Sequence, residues 1–97
     1  MVKSGYCLIQ TKPNQANTVC DQLLALPEVK SIITTTGMFD LLASVEFENN
    51  RELQRFLLNV RGSASIEFVS FFQITNMFVP DHVLEQMHAH RQGNGSA

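Results

Sequence analysis

The sequence predicts a single α+β domain. Four short apolar stretches with β-forming residues alternate with two stretches of helical periodicity, and Pro or Gly punctuates the joins. At 97 residues there is room for one domain and not for two.

Tyr6 to Thr11 reads as the first strand, ended by Lys12-Pro13-Asn14. A helix is expected from Pro13, a residue suited to the first helical position, to about Leu26. Ala16, Val19, Cys20, Leu23 and Leu26 form its buried face, and Pro27 stops it. Val29 to Thr36, rich in Ile and Thr, is a second strand, and Leu41 to Phe47 a third. Gly37 marks the turn that joins them as a hairpin. Asn49 and Glu52 have capping-box spacing for a second helix that runs to Arg61, with Leu53, Phe56, Leu57 and Val60 on one face and Gly62-Ser63 at its end. Ile66 to Ile74 is a fourth strand. The order is βαββαβ, and right-handed crossovers turn it into a ferredoxin-like fold with a four-stranded antiparallel sheet. Residues 1–79 make this domain, 80–91 a short C-terminal helix opened by Pro80-Asp81, and 92–97 a polar, disordered tail.

Two helices cover one face of such a sheet, yet both faces of the strands carry apolar residues. In the fourth strand Ile66, Phe68, Ser70, Phe72 and Ile74 alternate with Glu67, Val69, Phe71 and Gln73. In the third, Leu41, Ala43, Val45 and Phe47 alternate with Leu42 and Ser44. Reading Leu42, Val69 and Phe71 as the open side gives an apolar patch that marks an interface with a second copy. The alternative cover is the C-terminal helix, through Val83, Leu84 and Met87.

Composition excludes several classes. Seven scattered basic residues and a net charge of −2 leave no basic stripe for nucleic acid. No apolar run reaches membrane-spanning length and no signal peptide opens the chain, so a cytoplasmic protein is expected. Cys7 and Cys20 lack redox or metal spacing and read as free thiols. His82, His88 and His90 lie in or beyond the last helix without ligand spacing. No nucleophile has a base beside it in sequence, and no cofactor or metal is implied.

The segments Ala25-Leu26-Pro27-Glu28-Val29, Thr34-Thr35-Thr36-Gly37-Met38-Phe39-Asp40 and Glu52-Leu53-Gln54-Arg55-Phe56-Leu57 closely resemble the effector-binding (RAM) domain of the Lrp/AsnC regulators. The resemblance runs from about Tyr6 to Met77. It implies a non-catalytic module for an amino-acid effector in transcriptional regulation of amino-acid metabolism. It further implies dimers paired through their sheets and assembled into rings such as octamers. By position, Thr36, Gly37, Met38, Phe39 and Asp40 match the effector loop, and Gln73 and Thr75 the end of the fourth strand. Asp40 suits an α-ammonium group, the Thr36 hydroxyl a carboxylate, and Met38 and Phe39 a side-chain pocket. Family regulators carry an N-terminal helix-turn-helix domain, whereas Met1 stands just before the first strand here. A stand-alone form is expected, without direct DNA binding, that modulates or co-assembles with full-length regulators. Two other readings stay open: an assembly module without ligand, and a cofactor-free dimeric monooxygenase of the same fold. The second is disfavoured because no Trp occurs and no His lies in the core elements.

Overall fold

The computed structural model describes residues 1–87. Its elements are β1 (Lys3–Thr11), α1 (Ala16–Leu24), β2 (Val29–Thr34), β3 (Leu41–Phe47), α2 (Asn50–Arg61) and β4 (Ile66–Gln73), followed by a helical segment over 81–87. The sheet is antiparallel with order β2-β3-β1-β4, the ferredoxin-like arrangement. None of the helices among the described residues is long and apolar enough to cross a membrane. His88, His90 and the expected tail 92–97 lie outside the described residues.

Helix α2 follows its sequence signals closely. The Asn49 side chain accepts from the Glu52 amide at 2.9 Å. Glu52 reaches back to the Glu48 amide at 2.8 Å, one residue before the expected cap. Such a cap stabilises a helix by about 1 kcal/mol. Helix α1 begins three residues later than its proline suggests. Pro13 instead occupies a turn in which the Gln15 amide donates to the Lys12 carbonyl at 3.1 Å. Asn14 takes a positive φ of 65° in that turn, a conformation that Asn tolerates better than most residues. β2 also ends two residues early, because the chain must turn at Gly37.

The core lies between the helices and one face of the sheet. Val19 and Leu23 of α1 and Leu53, Phe56, Leu57 and Val60 of α2 bury against Cys7, Ile9, Leu41, Ala43, Val45 and Phe47. Each fully buried large side chain contributes on the order of 1.5–3 kcal/mol. Cys7 is free and buried, and burial pushes its thiol up to about 11, partly countered by the Arg61 charge. Cys20 is free and half-buried.

The face expected for Val69 and Phe71 is corrected by the register. Phe71 pairs with Cys7 and Val69 with Ile9, so both pack on the helix side against the core. β4 is apolar on both faces, so alternation alone cannot choose between them. Gly5 decides the matter: a Cβ there would stand 2.6 Å from the Phe71 ring and 2.5 Å from the Phe72 carbonyl oxygen. The Phe71 ring occupies the space that Gly5 leaves and meets Phe47 edge-on at 6.1 Å. The open face carries Tyr6 and Leu8 of β1, Phe68 and Phe72 of β4, Leu42 of β3 and Ile33 of β2. Leu42 therefore lies where the sequence puts it. Phe68 and Phe72 are 53% and 55% exposed. The segment 81–87 does not cover them, and its own Leu84 and Met87 are exposed.

Gly5→Ala should cost about 1–3 kcal/mol, the usual range for overpacking. Urea denaturation should show the midpoint lowered with the slope unchanged; equal midpoints would show that the Phe71 ring moves aside freely.

Candidate functional site

The connection between β2 and β3 is built by its own hydrogen bonds. The Thr35 amide donates to the Asp40 carbonyl at 2.8 Å, and the Thr35 hydroxyl donates to the Phe39 carbonyl. Gly37 sits at φ 112°, where L side chains are strained. The Asp40 amide donates to the Ile9 carbonyl at 2.9 Å, which pins the turn to the end of β1.

The Asp40 carboxylate completes that attachment. Its Oδ2 accepts from the amide and the hydroxyl of Thr11, each at 2.7 Å. These bonds to the charged form hold the Asp40 carboxyl below its ordinary range, the hydroxyl contributing most, with slight desolvation opposing. Oδ1 accepts no hydrogen bond among the described residues. Asp40 thus ties the hairpin to β1 through one oxygen and presents the other.

A concavity of ≈ 340 Å³ lies between this turn and the β1–α1 connection. Gly37, Met38 and Asp40 line one side, and Thr11, Lys12 and Asn14 the other. Gly37, Met38 and Asp40 therefore come together as the sequence suggests. Thr36 is exposed and Phe39 faces elsewhere: neither lines the concavity, and the Phe39 ring packs on Phe68 with centroids 6.0 Å apart. The expectation that Phe39 lines the pocket is corrected accordingly. Gln73 and Thr75 are not brought to the turn within one chain. Gln73 pairs with Gly5, at the other end of β1 from Thr11. Those two β1 residues are roughly 20 Å apart at strand rise.

Thr11, Lys12 and Asn14 were not legible as site residues. They adjoin the turn through a contact spanning 29 positions in sequence. The one available signal was the Lys-Pro-Asn turn itself, whose residues stand out only once the fold brings them opposite the hairpin.

The Lrp/AsnC ligand binding domain pattern matches residues 4–75, nearly the whole of this sheet and both covering helices. The chain belongs to that family. This Lrp/AsnC domain is 29% identical over 63 residues to the HTH-type transcriptional regulator FL11 of Pyrococcus furiosus, covering 65% of the chain and 42% of that protein. The chain thus spans less than half the length of that relative. Among solved structures it is similar to FFRP-DM1, with 27% identity, a TM-score of 0.71, and coverage of 74% of this chain and 97% of that one. It also shares its fold with a feast or famine regulatory protein from M. tuberculosis complexed with L-methionine, at 24% identity and a TM-score of 0.65, covering 81% and 54% of the two chains.

Because the folded carboxyl of Asp40 is depressed, its contribution is present above the unfolded value of about 3.9 and is lost as pH falls through the folded value. Asp40→Asn should be less stable than wild type at pH 7, with the difference shrinking at pH 3. Chemical denaturation at the two pH values tests this. A difference independent of pH would remove the carboxylate from the tie.

Proposed function

We propose that this Lrp/AsnC domain is a non-catalytic, oligomeric sensor of an amino-acid effector, acting in transcriptional regulation of amino-acid metabolism. The observation that carries the reading is the concavity beside the hairpin turn, with a charge pattern suited to a zwitterion. The unengaged Oδ1 of Asp40 can accept from an α-ammonium group. Lys12 across the concavity supplies a cation for the carboxylate, and Met38 offers a soft apolar contact for a side chain. The M. tuberculosis protein with bound L-methionine shares this fold and makes methionine a natural first ligand.

Oligomerisation is the second half of the proposal. Tyr6, Phe68, Phe72 and Ile33 are exposed on one sheet face, a patch that two copies can cover by pairing their sheets. Leu42 belongs to that interface; Val69 and Phe71 do not, since both lie under the helices. Dimers of this kind would assemble into rings, with Gln73 and Thr75 of one copy able to approach the turn of another. Co-assembly with longer regulators would carry the ligand signal to a DNA-reading domain. The Phe39–Phe68 contact supports such coupling, because it joins the turn to the open face.

Light scattering and thermal shift with a panel of amino acids test the reading. The protein should be a dimer or larger, and one amino acid should raise the melting temperature. Asp40→Ala should weaken that ligand roughly 10-fold or more, as expected for a lost charged hydrogen bond. Phe72→Asp should shift the mass toward the monomer. A wild-type monomer would overturn the oligomer, and an oligomer indifferent to every amino acid would overturn the sensor in favour of an assembly module without ligand.

A further inference from the structure

Helix α2 turns a basic and partly apolar face outward. Arg51, Gln54, Arg55, Leu58 and Asn59 line a concavity of ≈ 470 Å³ along it. Leu58 and Asn59 also line a second, of ≈ 510 Å³, between α2 and α1, where Leu23 and Leu26 meet Ile66 at the start of β4. The two run together at Leu58, which is 72% exposed. The groove follows α2 for its 12 residues, roughly 18 Å at helical rise. Arg51 and Arg55 stand four residues apart and so share a side of the helix, with Leu58 three residues beyond. Arg55 lies 3.8 Å from Oε1 of Glu28, beyond a hydrogen bond. Glu52, the acidic residue of α2, already accepts from the Glu48 amide at 2.8 Å.

The chain after β4 has the complementary character. The Ile74 amide donates to the Ser4 carbonyl at 2.8 Å. Beyond it, the hydrogen bonds among the described residues are local, from the Met77 amide to the Asn76 side chain and from the Val83 and Leu84 amides to the Pro80 carbonyl. Phe78 is 87% exposed, and Met77, Leu84 and Met87 are exposed as well. In the helical segment 81–87, Asp81 and Glu85 stand four residues apart. Segment and groove therefore match: each carries two like charges at this spacing, and a leucine three residues from one of them, with the signs reversed.

We propose that residues 77–87 of one copy dock in the groove along α2 of a second copy, with Leu84 beside Leu58 and with Asp81 and Glu85 facing Arg51 and Arg55. The donor is a second copy because segment and groove both stand open within one chain. The lengths agree. The helical segment and the four residues before it reach at most roughly 24 Å, enough to follow the groove. The open sheet face is the competing apolar surface, but it carries Glu46, in register with Ser4, which repels carboxylates. Exposed ion pairs are individually weak. Apolar contact of Phe78, Leu84 and Met87 with Leu26 and Leu58 holds the segment, and the charges set its register. Donor and acceptor are different surfaces, so the contact is heterologous, distinct from the two-fold pairing of sheets, and can extend from copy to copy or close into a ring.

Cysteine cross-linking in the full chain tests this, with Cys20→Ser in every variant to remove the half-buried native thiol. Leu58→Cys and Leu84→Cys are made separately, mixed, and oxidised in a glutathione buffer. Both positions are exposed, so each variant should keep the wild-type melting curve. The mixed disulfide should exceed either homodimer roughly 5-fold or more, since docking raises the local concentration of the two thiols. Asp81→Lys with Glu85→Lys on one partner, or Arg51→Glu on the other, should lower its yield several-fold. Mixed and homodimeric products in equal yield overturn the proposal, as does a yield indifferent to charge reversal. In the chain with both Leu58→Cys and Leu84→Cys, a disulfide closed within one chain overturns it in favour of the segment folding back on its own groove. Leu84→Cys mixed with Ile33→Cys is the rival pair: a higher yield there overturns the proposal and assigns the segment to the open sheet face. Repeating the first mixture with Phe72→Asp in both partners separates this contact from sheet pairing. The cross-link should persist, and its loss would overturn a distinct interface.

Discussion

The placement of β1 between β3 and β4 is the constraint on which the rest of this molecule depends. One strand sets two registers, and each register chooses a face. With Cys7 and Ile9 turned toward the helices, Ala43 and Leu41 must follow on one side, and Phe71 and Val69 on the other. Gly5 enforces the choice at the crowded end of the strand, where the Phe71 ring lies over its backbone. A slip of one residue would bury Tyr6 and Phe72 and expose the core face. The same strand positions the candidate site, because its last residue, Thr11, supplies both donors that hold Asp40.

The sheet thereby acquires ends with different chemistry. At one, the hairpin turn and the Lys12-Pro13-Asn14 turn face each other across a concavity, drawn together by Asp40. At the other, the start of β2 buries Glu28 beside the first turns of α2. The aromatic residues connect these features to the open face. Phe39 leaves the turn and leans on Phe68, and the Tyr6–Phe72 pair continues the apolar surface toward the far end. The described part of the chain has a core under the helices and an uncovered apolar sheet face behind it, an arrangement that favours association.

Much of the fold was readable because local signals agreed with one another. Asn49 and Glu52 announce α2, Pro27 closes α1, and Gly37 turns the hairpin. These signals act over a few residues, which is the range at which a sequence speaks plainly. The misplacement of Val69 and Phe71 has the opposite origin. Their face depends on pairing with a strand some sixty positions away, and Phe on both faces of β4 removes the usual contrast. Pro13 misled for a related reason: it suits a helix start and a turn equally, and the positive φ of Asn14 selects the turn. At the site, Gly37, Met38 and Asp40 stood out as a motif. Thr11 did not, since nothing in its neighbourhood reveals that its hydroxyl meets Asp40. Glu28 carries no local signal of burial either, yet the fold leaves it 4% exposed, beside Arg55 of α2.

Gly37 carries one more consequence. An added Cβ would meet nothing within 4 Å, yet the backbone there sits at φ 112°. Room is therefore no part of the requirement; handedness is. An L-residue is strained at this position whatever its size, whereas D-alanine would adopt the angle as easily as L-alanine adopts its mirror image. The tip of the hairpin is thus shaped by the chirality of the chain, and the space beside it stays open because no ordinary side chain can grow there without bending the turn that holds Asp40.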